Sequence, residues 1–201
     1  MSCPRWCAAL GEHYSPVMAY HADSSDLVDK EVLTWQGLGD ATDDLARSIV
    51  DSGFKPEIII AVARGGMLLA GSLTYALGVK LTDAINVEFY TDVNETLPDP
   101  VLLAPLLDTN AIEGKQLLVV DDVADSGRTL QLVVDLLKRW GADVRSAVLY
   151  GKPRSIVEPD YVWKKTDDWI VFPWSAKPPL LWNDQNPDGA LSEAPSGRDP
   201  R

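Results

Sequence analysis

A run of acidic, small and hydroxyl side chains in the middle of the chain has the composition of a site for a phosphorylated ligand. Residues 119–130 read VVDDVADSGRTL. The turn at residues 125–127 precedes a predicted helix, and consecutive amides at a helix N-terminus attract anions. The hydroxyls of Ser126 and Thr129 add donors, and Gly127 lets the backbone approach a phosphate closely. The pattern therefore predicts an anion site at residues 125–129.

Two carboxylates, Asp121 and Asp122, stand directly before this turn. They would repel a bare phosphate, so we expect them to face sugar hydroxyls or a hydrated Mg²⁺ ion. A simpler interpretation is that Asp125 or Ser126 only caps the helix. A cap accounts for one polar residue, but not for two acids followed by an Asp-Ser-Gly turn.

A second candidate anion site is the sequence Arg64-Gly65-Gly66. Glycine amides at the start of a helix can point at an anion, and the Arg64 guanidinium adds a bidentate donor. Taken alone, the pattern is weak, because an ordinary tight turn also explains it.

The segments around these sites alternate between strand-like and helix-like patterns. Short β-branched or alternating apolar runs predict strands at residues 57–63, 84–90, 116–121 and 144–150. Helical spacing of apolar residues predicts helices at 36–52, 66–77 and 128–140. This order predicts an α/β fold, with a central, mostly parallel sheet flanked by helices. Ligands of such sheets bind beyond the carboxyl ends of the strands, where both candidate sites lie.

The composition limits the domain organisation and the partners. Among 201 residues, 18 are basic and 30 acidic, and the net charge of −12 argues against nucleic-acid binding. No apolar run could span a bilayer and no secretory signal is evident, so we expect a cytoplasmic protein without membrane contact. We predict a loosely ordered leader at residues 1–31, one domain at 32–182 and a disordered tail at 183–201. The leader holds Cys3 and Cys7, and two reduced thiols are favoured over a zinc site with His13 and His21.

Residues 122–129, DVADSGRT, resemble the PRPP-binding motif D-x-x-D-[ST]-G-x-T of the type I phosphoribosyltransferases. The resemblance implies the type I phosphoribosyltransferase fold and Mg²⁺-dependent transfer of 5-phosphoribosyl from PRPP to a base, with release of pyrophosphate. It implies that Asp122 and Asp121 hold the metal, partly through PRPP, and that Asp125 is the catalytic acid–base residue. The residues implied to bind PRPP are Arg64, Gly65, Asp121, Asp122, Val123, Ala124, Asp125, Ser126, Gly127, Arg128 and Thr129.

The C-terminal part of the domain carries a candidate base pocket. Lys152 follows a predicted strand in LYGKP, and residues 168–174 read DWIVFPW. These segments resemble bacterial xanthine–guanine phosphoribosyltransferases, in which a small hood, here from about residue 151 to 182, closes over the purine. The resemblance implies that Lys152 bonds the purine O6, Trp169 stacks on the ring, the Ile170 backbone reads the 2-position and Asp125 lies near N7. A solvated lysine and buried core tryptophans are the simpler alternatives.

The chain departs from the 6-oxopurine enzymes in one segment. Residues 90–109, predicted to form a mobile lid, contain no Lys or Arg, although those enzymes use a basic residue there to hold pyrophosphate. Either Lys115, another loop or a neighbouring subunit supplies the charge, or the pyrophosphate site is weaker. The family implies a dimer or tetramer. The favoured acceptor is guanine, xanthine or hypoxanthine in purine salvage. The alternatives are a same-fold enzyme for another base and a PRPP- or nucleotide-sensing protein without activity.

Overall fold

The structure is a computed structural model that describes residues 30–88, 91–92, 95–96, 101–102 and 112–177. The chain divides into two compact units. The larger unit comprises Leu33–Trp169, and the smaller unit comprises Met1–Val32 and Ile170–Arg201. The helices are α1 (Trp35–Asp51), α2 (Gly66–Leu77) and α3 (Arg128–Arg139). The strands are β1 (Lys30–Val32), β2 (Ile58–Ala63), β3 (Leu81–Glu88), β4 (Thr91–Asp92), β5 (Glu95–Thr96), β6 (Val101–Leu102), β7 (Gln116–Ala124), β8 (Asp143–Gly151), β9 (Tyr161–Lys165) and β10 (Trp169–Val171).

The larger unit is built on a six-stranded sheet with the order β6-β3-β2-β7-β8-β9. Every neighbouring pair is parallel except β3 with β6, at one edge. The predicted α/β fold with a mostly parallel sheet is therefore confirmed. Because β7 lies between β2 and β8 and is parallel to both, the carboxyl ends of these three strands lie side by side.

The sheet is covered by helices because its strands are apolar on both faces. One face packs against α3 in a shared buried cluster. That cluster includes Ile60, Val62, Leu117, Val119, Leu130, Val133 and Leu137. The alternate residues of β2 and β7 are also buried and point to the other face, where α2 packs on both strands. Helix α1 packs against α2 and β9.

The smaller unit contributes few described residues. Strand β1 pairs with β10 in a two-stranded sheet. Beyond β10, the rings of Phe172 and Trp174 stack with centroids 4.8 Å apart.

The observed elements differ from the predicted ones mainly at strand ends. Strand β7 was predicted to end at Asp121 but continues to Ala124, because β8 runs beside it and pairs Val123 with Tyr150 and Ala124 with Gly151. Strand β9 was not predicted, since its sequence YVWKK is short and ends in two lysines. Such a strand is typical of a sheet edge, where only one neighbour is needed.

Several predictions concern residues outside the described ranges. These are the leader except Lys30 and Glu31, the tail at 183–201, Cys3, Cys7, His13 and His21, and most of the lid at 90–109. Within the lid, β4 pairs with β5, and β6 pairs with β3. The domain bounds, the hood and the oligomer stay predictions. In the described part of the chain, no helix is long and apolar enough to cross a membrane.

Candidate functional site

Asp121 and Asp122, called the acid pair below, lie in the last part of β7 and are partly buried. The Asp122 amide donates to Asp121 Oδ1 at 2.8 Å. Burial, and then the charge of Asp122, raise the pKa of Asp121 well above its ordinary value, and burial also raises the pKa of Asp122. Among the described residues, no basic side chain forms an ion pair with either carboxylate. The acid pair therefore has no cationic partner among the described residues at the carboxyl end of β7.

Residues 125–129, called the phosphate turn below, connect β7 to α3. Gly127 has φ 76°, a left-handed conformation that favours glycine. Within the described parts of the chain, the amides of Ser126, Gly127 and Thr129 donate to no backbone oxygen. The turn and the end of β7 enclose a cavity of about 70 Å³. Its lining includes Asp121, Val123, Ala124, Asp125, Ser126, Gly127 and Thr129. A cavity of this size, lined by free amides and hydroxyls, suits a compact anion.

Arg64, Gly65 and Gly66 connect β2 to α2 and lie against the acid pair. A Cβ atom built on Gly65 would overlap the Asp122 carboxylate, and one on Gly66 would come within 2.9 Å of the Asp121 Cα. Only glycine permits this approach between the two loops. The exposed Arg64 side chain makes no hydrogen bond or ion pair with the described residues. The two predicted anion sites thus form one site, although they are more than 50 residues apart in sequence.

The loop after β8, at residues 152–157 and called the base loop below, is attached to the phosphate turn. The Lys152 amide donates to the Ala124 carbonyl at 3.0 Å. The Lys152 ammonium donates to the carbonyl oxygen of Asp168, which directly precedes Trp169. The Trp169 side chain is 73% exposed and is therefore available for stacking. Lys152 and Trp169 are thus brought close to each other, whereas Ile170 belongs to the smaller unit and its role stays a prediction.

A second cavity, of about 330 Å³, lies beside the base loop and β9. Its lining includes Lys152, Ile156 and Val162, but neither Asp125 nor Trp169. This cavity therefore does not coincide with the predicted base pocket.

Lys115 does not supply the missing positive charge. It precedes β7 and pairs with Glu57 at 2.8 Å, at the amino end of the strand. At about 3.3 Å per strand residue, it lies about 20 Å from the acid pair at the carboxyl end. One of the three alternatives for the pyrophosphate charge is thereby excluded.

Sequence reasoning missed Arg154. Its guanidinium contacts the Asp125 carboxylate through Nε at 3.0 Å and Nη2 at 2.5 Å. The signal for finding it was present, since Arg154 follows the Lys-Pro pair immediately after a strand whose carboxyl end lies at the site. No periodicity, however, indicates which residue of such a loop turns toward Asp125.

Comparison with known proteins identifies a family. Residues 29–179 match the family model described as the phosphoribosyl transferase domain. The chain is 31% identical over 148 residues to a xanthine-guanine phosphoribosyltransferase of Gluconobacter oxydans, covering 73% of this chain and 84% of that protein.

Solved structures give the same result. A purine phosphoribosyltransferase from Pyrococcus horikoshii is 36% identical, with a TM-score of 0.66, covering 77% of this chain and 99% of that one. A hypothetical protein from Neisseria gonorrhoeae, solved with bound ppGpp, is 26% identical with a TM-score of 0.64, covering 73% of this chain and 89% of that one.

Proposed function

The chain belongs to the phosphoribosyltransferase family, and we propose that it transfers 5-phosphoribosyl from PRPP to a 6-oxopurine base in purine salvage. The products are the nucleoside 5′-monophosphate and pyrophosphate. The family assignment agrees with the resemblance in residues 122–129. One observation carries the proposal: the acid pair and the free amides of the phosphate turn lie at the carboxyl end of β7, and Gly65, at the carboxyl end of the neighbouring β2, packs on Asp122.

The phosphate turn binds the 5-phosphate of PRPP in this proposal. The amides of Ser126, Gly127 and Thr129 are unbonded in the described structure, and the α3 N-terminus adds its partial positive charge. The acid pair accepts hydrogen bonds from the ribose hydroxyls. Arg64 and the Gly65 amide bind the pyrophosphate, because they lie at the neighbouring strand end and Arg64 lacks a partner among the described residues.

The acid pair also fits a role in holding Mg²⁺. Two carboxylates without a basic partner provide the oxygen ligands that this ion prefers. The described residues contain no group of three or more acidic, His or Cys side chains placed to hold a metal. The remaining ligands would therefore be oxygens of PRPP and water. When bound, the ion neutralises the leaving pyrophosphate.

In this proposal the base is held by Lys152, Trp169 and Ile170, and the hydrogen bond from the Lys152 ammonium to the carbonyl oxygen of Asp168, next to Trp169, supports the first two. Lys152 donates to the purine O6, Trp169 stacks on the ring and the Ile170 backbone contacts the 2-position. As N9 bonds to C1 of the ribose and the bond from C1 to the pyrophosphate oxygen breaks, Asp125 accepts the purine proton at N7. The names of the related enzymes and the exposed Trp169 ring support a purine acceptor.

The direct test is pyrophosphate release from PRPP with Mg²⁺ and a panel of bases. We expect turnover with guanine, xanthine or hypoxanthine, and none with adenine, uracil or orotate. Turnover only with a base outside the 6-oxopurines would contradict the purine assignment. A rise in melting temperature with nucleotides, but no turnover with any base, would favour a sensor instead.

The base pocket is tested separately by Trp169→Ala. Loss of stacking, which contributes about 1–3 kcal/mol per base, should raise the KM for the purine about 5- to 100-fold. The KM for PRPP should stay within about twofold of wild type. The exposed Tyr75, 92% accessible and near the C-terminal end of α2, offers a matched aromatic control, and Tyr75→Ala should leave both constants unchanged. An unchanged purine KM in Trp169→Ala would remove this residue from the pocket.

A further inference from the structure

We propose that Arg154 is a positioning residue that holds the Asp125 carboxylate by one oxygen and leaves the other oxygen free for the base. The inference rests on the proposed function, because it concerns the acid–base role of Asp125. It adds a residue that neither the motif nor the sequence pattern identifies.

The geometry of the pair is one-sided. Both guanidinium contacts, from Nε at 3.0 Å and from Nη2 at 2.5 Å, go to Asp125 Oδ1. Within the described ranges, Asp125 Oδ2 has no hydrogen-bond partner. A carboxylate held at a single oxygen loses most of its rotational freedom, and the other oxygen can still accept a proton. This is the arrangement that transfer of the N7 proton requires.

The base loop fixes the position from which Arg154 reaches Asp125. On one side of Arg154 the Lys152 amide donates to the carbonyl oxygen of Ala124, at the end of β7, and on the other the Ile156 amide donates to that of Ser126, in the phosphate turn, each at 3.0 Å. The loop is also tightly packed there, since a Cβ atom on Gly127 would come within 2.8 Å of Val157 Cγ2. The backbone on either side of Arg154 is therefore fixed beside the phosphate turn, within reach of Asp125.

The exposure of the pair favours a role in function over one in folding. The side chains of Arg154 and Asp125 are 63% and 51% exposed. Exposed ion pairs contribute little to stability because solvent screens them. The pair can still orient the Asp125 carboxylate. The planar guanidinium makes two directed bonds to it, which a single ammonium group cannot reproduce.

The first test is the steady-state kinetics of Arg154→Ala. We expect kcat to fall about 10- to 100-fold, because small displacements of a catalytic group have effects of that size. The KM for PRPP and the melting temperature should change little. Methylguanidine added to this variant should restore part of kcat, which a purely structural role would not produce. Lys115→Ala is the control, since it removes an equal charge at the other end of β7, about 20 Å from the acid pair, and its kcat should equal that of wild type.

Two further variants make the inference refutable. Arg154→Lys keeps the charge but loses one of the two bonds, so its kcat should lie between those of wild type and Arg154→Ala, and it serves if the alanine variant does not fold. If Arg154 acts through Asp125, adding Arg154→Ala to Asp125→Asn should cause no further loss. Additive losses in the double variant, or wild-type kcat in Arg154→Ala, would overturn the inference while leaving the proposed function intact. An inactive wild type would overturn both.

Discussion

Acidic side chains lie near both ends of β7, but Glu57 near the amino end is paired with a basic side chain, whereas the acid pair at the carboxyl end is paired with none of the described ones. At the amino end, Glu57 accepts from Lys115 Nζ at 2.8 Å and from the Gln116 amide at 3.1 Å. At the carboxyl end, Asp121 Oδ1 accepts from the backbone amide of Asp122, and no described cation is paired with either carboxylate. The chain neutralises its acid where the strand begins and leaves two acids unneutralised where it ends. Charges that the protein itself satisfies belong to the fold, whereas unsatisfied ones indicate a site for a ligand.

The strands beside β7 show the same difference in side-chain pairing between their amino and carboxyl ends. On the amino side, Arg145 donates to Tyr161 Oη at 2.8 Å, and Tyr161 Oη lies 2.6 Å from Ser52 Oγ. The Arg145 guanidinium also lies 4.6 Å from the centroid of the Phe54 ring. On the carboxyl side, the described Arg64 side chain has no partner, and Asp125 keeps one oxygen free. The described charges on the amino side are therefore paired within the protein, whereas those on the carboxyl side are only partly paired.

The strongest test of this contrast pairs Asp122→Asn with Glu57→Gln. Asp122→Asn should lower kcat/KM about 100-fold or more, because it removes charge that acts on the reacting ligand. Its melting temperature should not fall, since an uncompensated buried charge is removed. Glu57→Gln is the control: its activity should stay within about twofold of wild type, and its melting temperature should change only slightly, because solvent screens the exposed pair with Lys115. If both variants lost activity equally, the two ends would not differ in function.

A smaller effect is expected from Gly65→Ala. The added Cβ would overlap the Asp122 carboxylate, so the loop after β2 must shift, and kcat/KM should fall about tenfold or more. Gly71→Ala, within the helix α2 that follows Gly65, is the matched control, because its Cβ would meet nothing within 4 Å. That variant should keep full activity and gain about 0.5–1 kcal/mol of stability. Equal activity in both variants would show that the approach of Gly65 to Asp122 has no functional importance.

The smallest effect concerns the pH dependence of stability. Because the folded-state pKa of Asp121 is raised above its ordinary value of 3.8, the folded protein binds more protons than the unfolded chain above that pH. Stability should therefore decrease as the pH rises from about 4 through the raised pKa. Asp121→Asn removes this loss. Its melting temperature should equal that of wild type near pH 4 and exceed it by a few degrees at pH 7, since about 1 kcal/mol corresponds to roughly 2–4 °C.

These melting temperatures should be measured in EDTA, and then with Mg²⁺ and PRPP. Ligands that neutralise the acid pair should stabilise wild type more than Asp121→Asn and reduce the difference between them. A difference that is the same at every pH would show that the ionisation of Asp121 does not limit the stability of the fold.

The sequence by itself determined the features that lie within single segments. The apolar runs at β2, β7 and β8 and the helical spacing in α2 specified the main elements, because burial requires a matching period. The phosphate turn was equally readable, since Asp122, Asp125, Ser126, Gly127 and Thr129 stand within one strand end and one helix start. Local rules sufficed for the fold class and for half of the candidate site.

Tertiary structure alone decided the rest. It brought Gly65 into contact with Asp122 and put Lys115 at the amino end of β7, far from the proposed pyrophosphate site. It also added β9 as the outermost strand of the sheet. It also joined Arg154 to Asp125, 29 residues away in sequence. Contacts of this kind depend on which strands become neighbours and how far each strand extends. Both are set by the packing of the whole sheet, and no periodicity within a single segment encodes them.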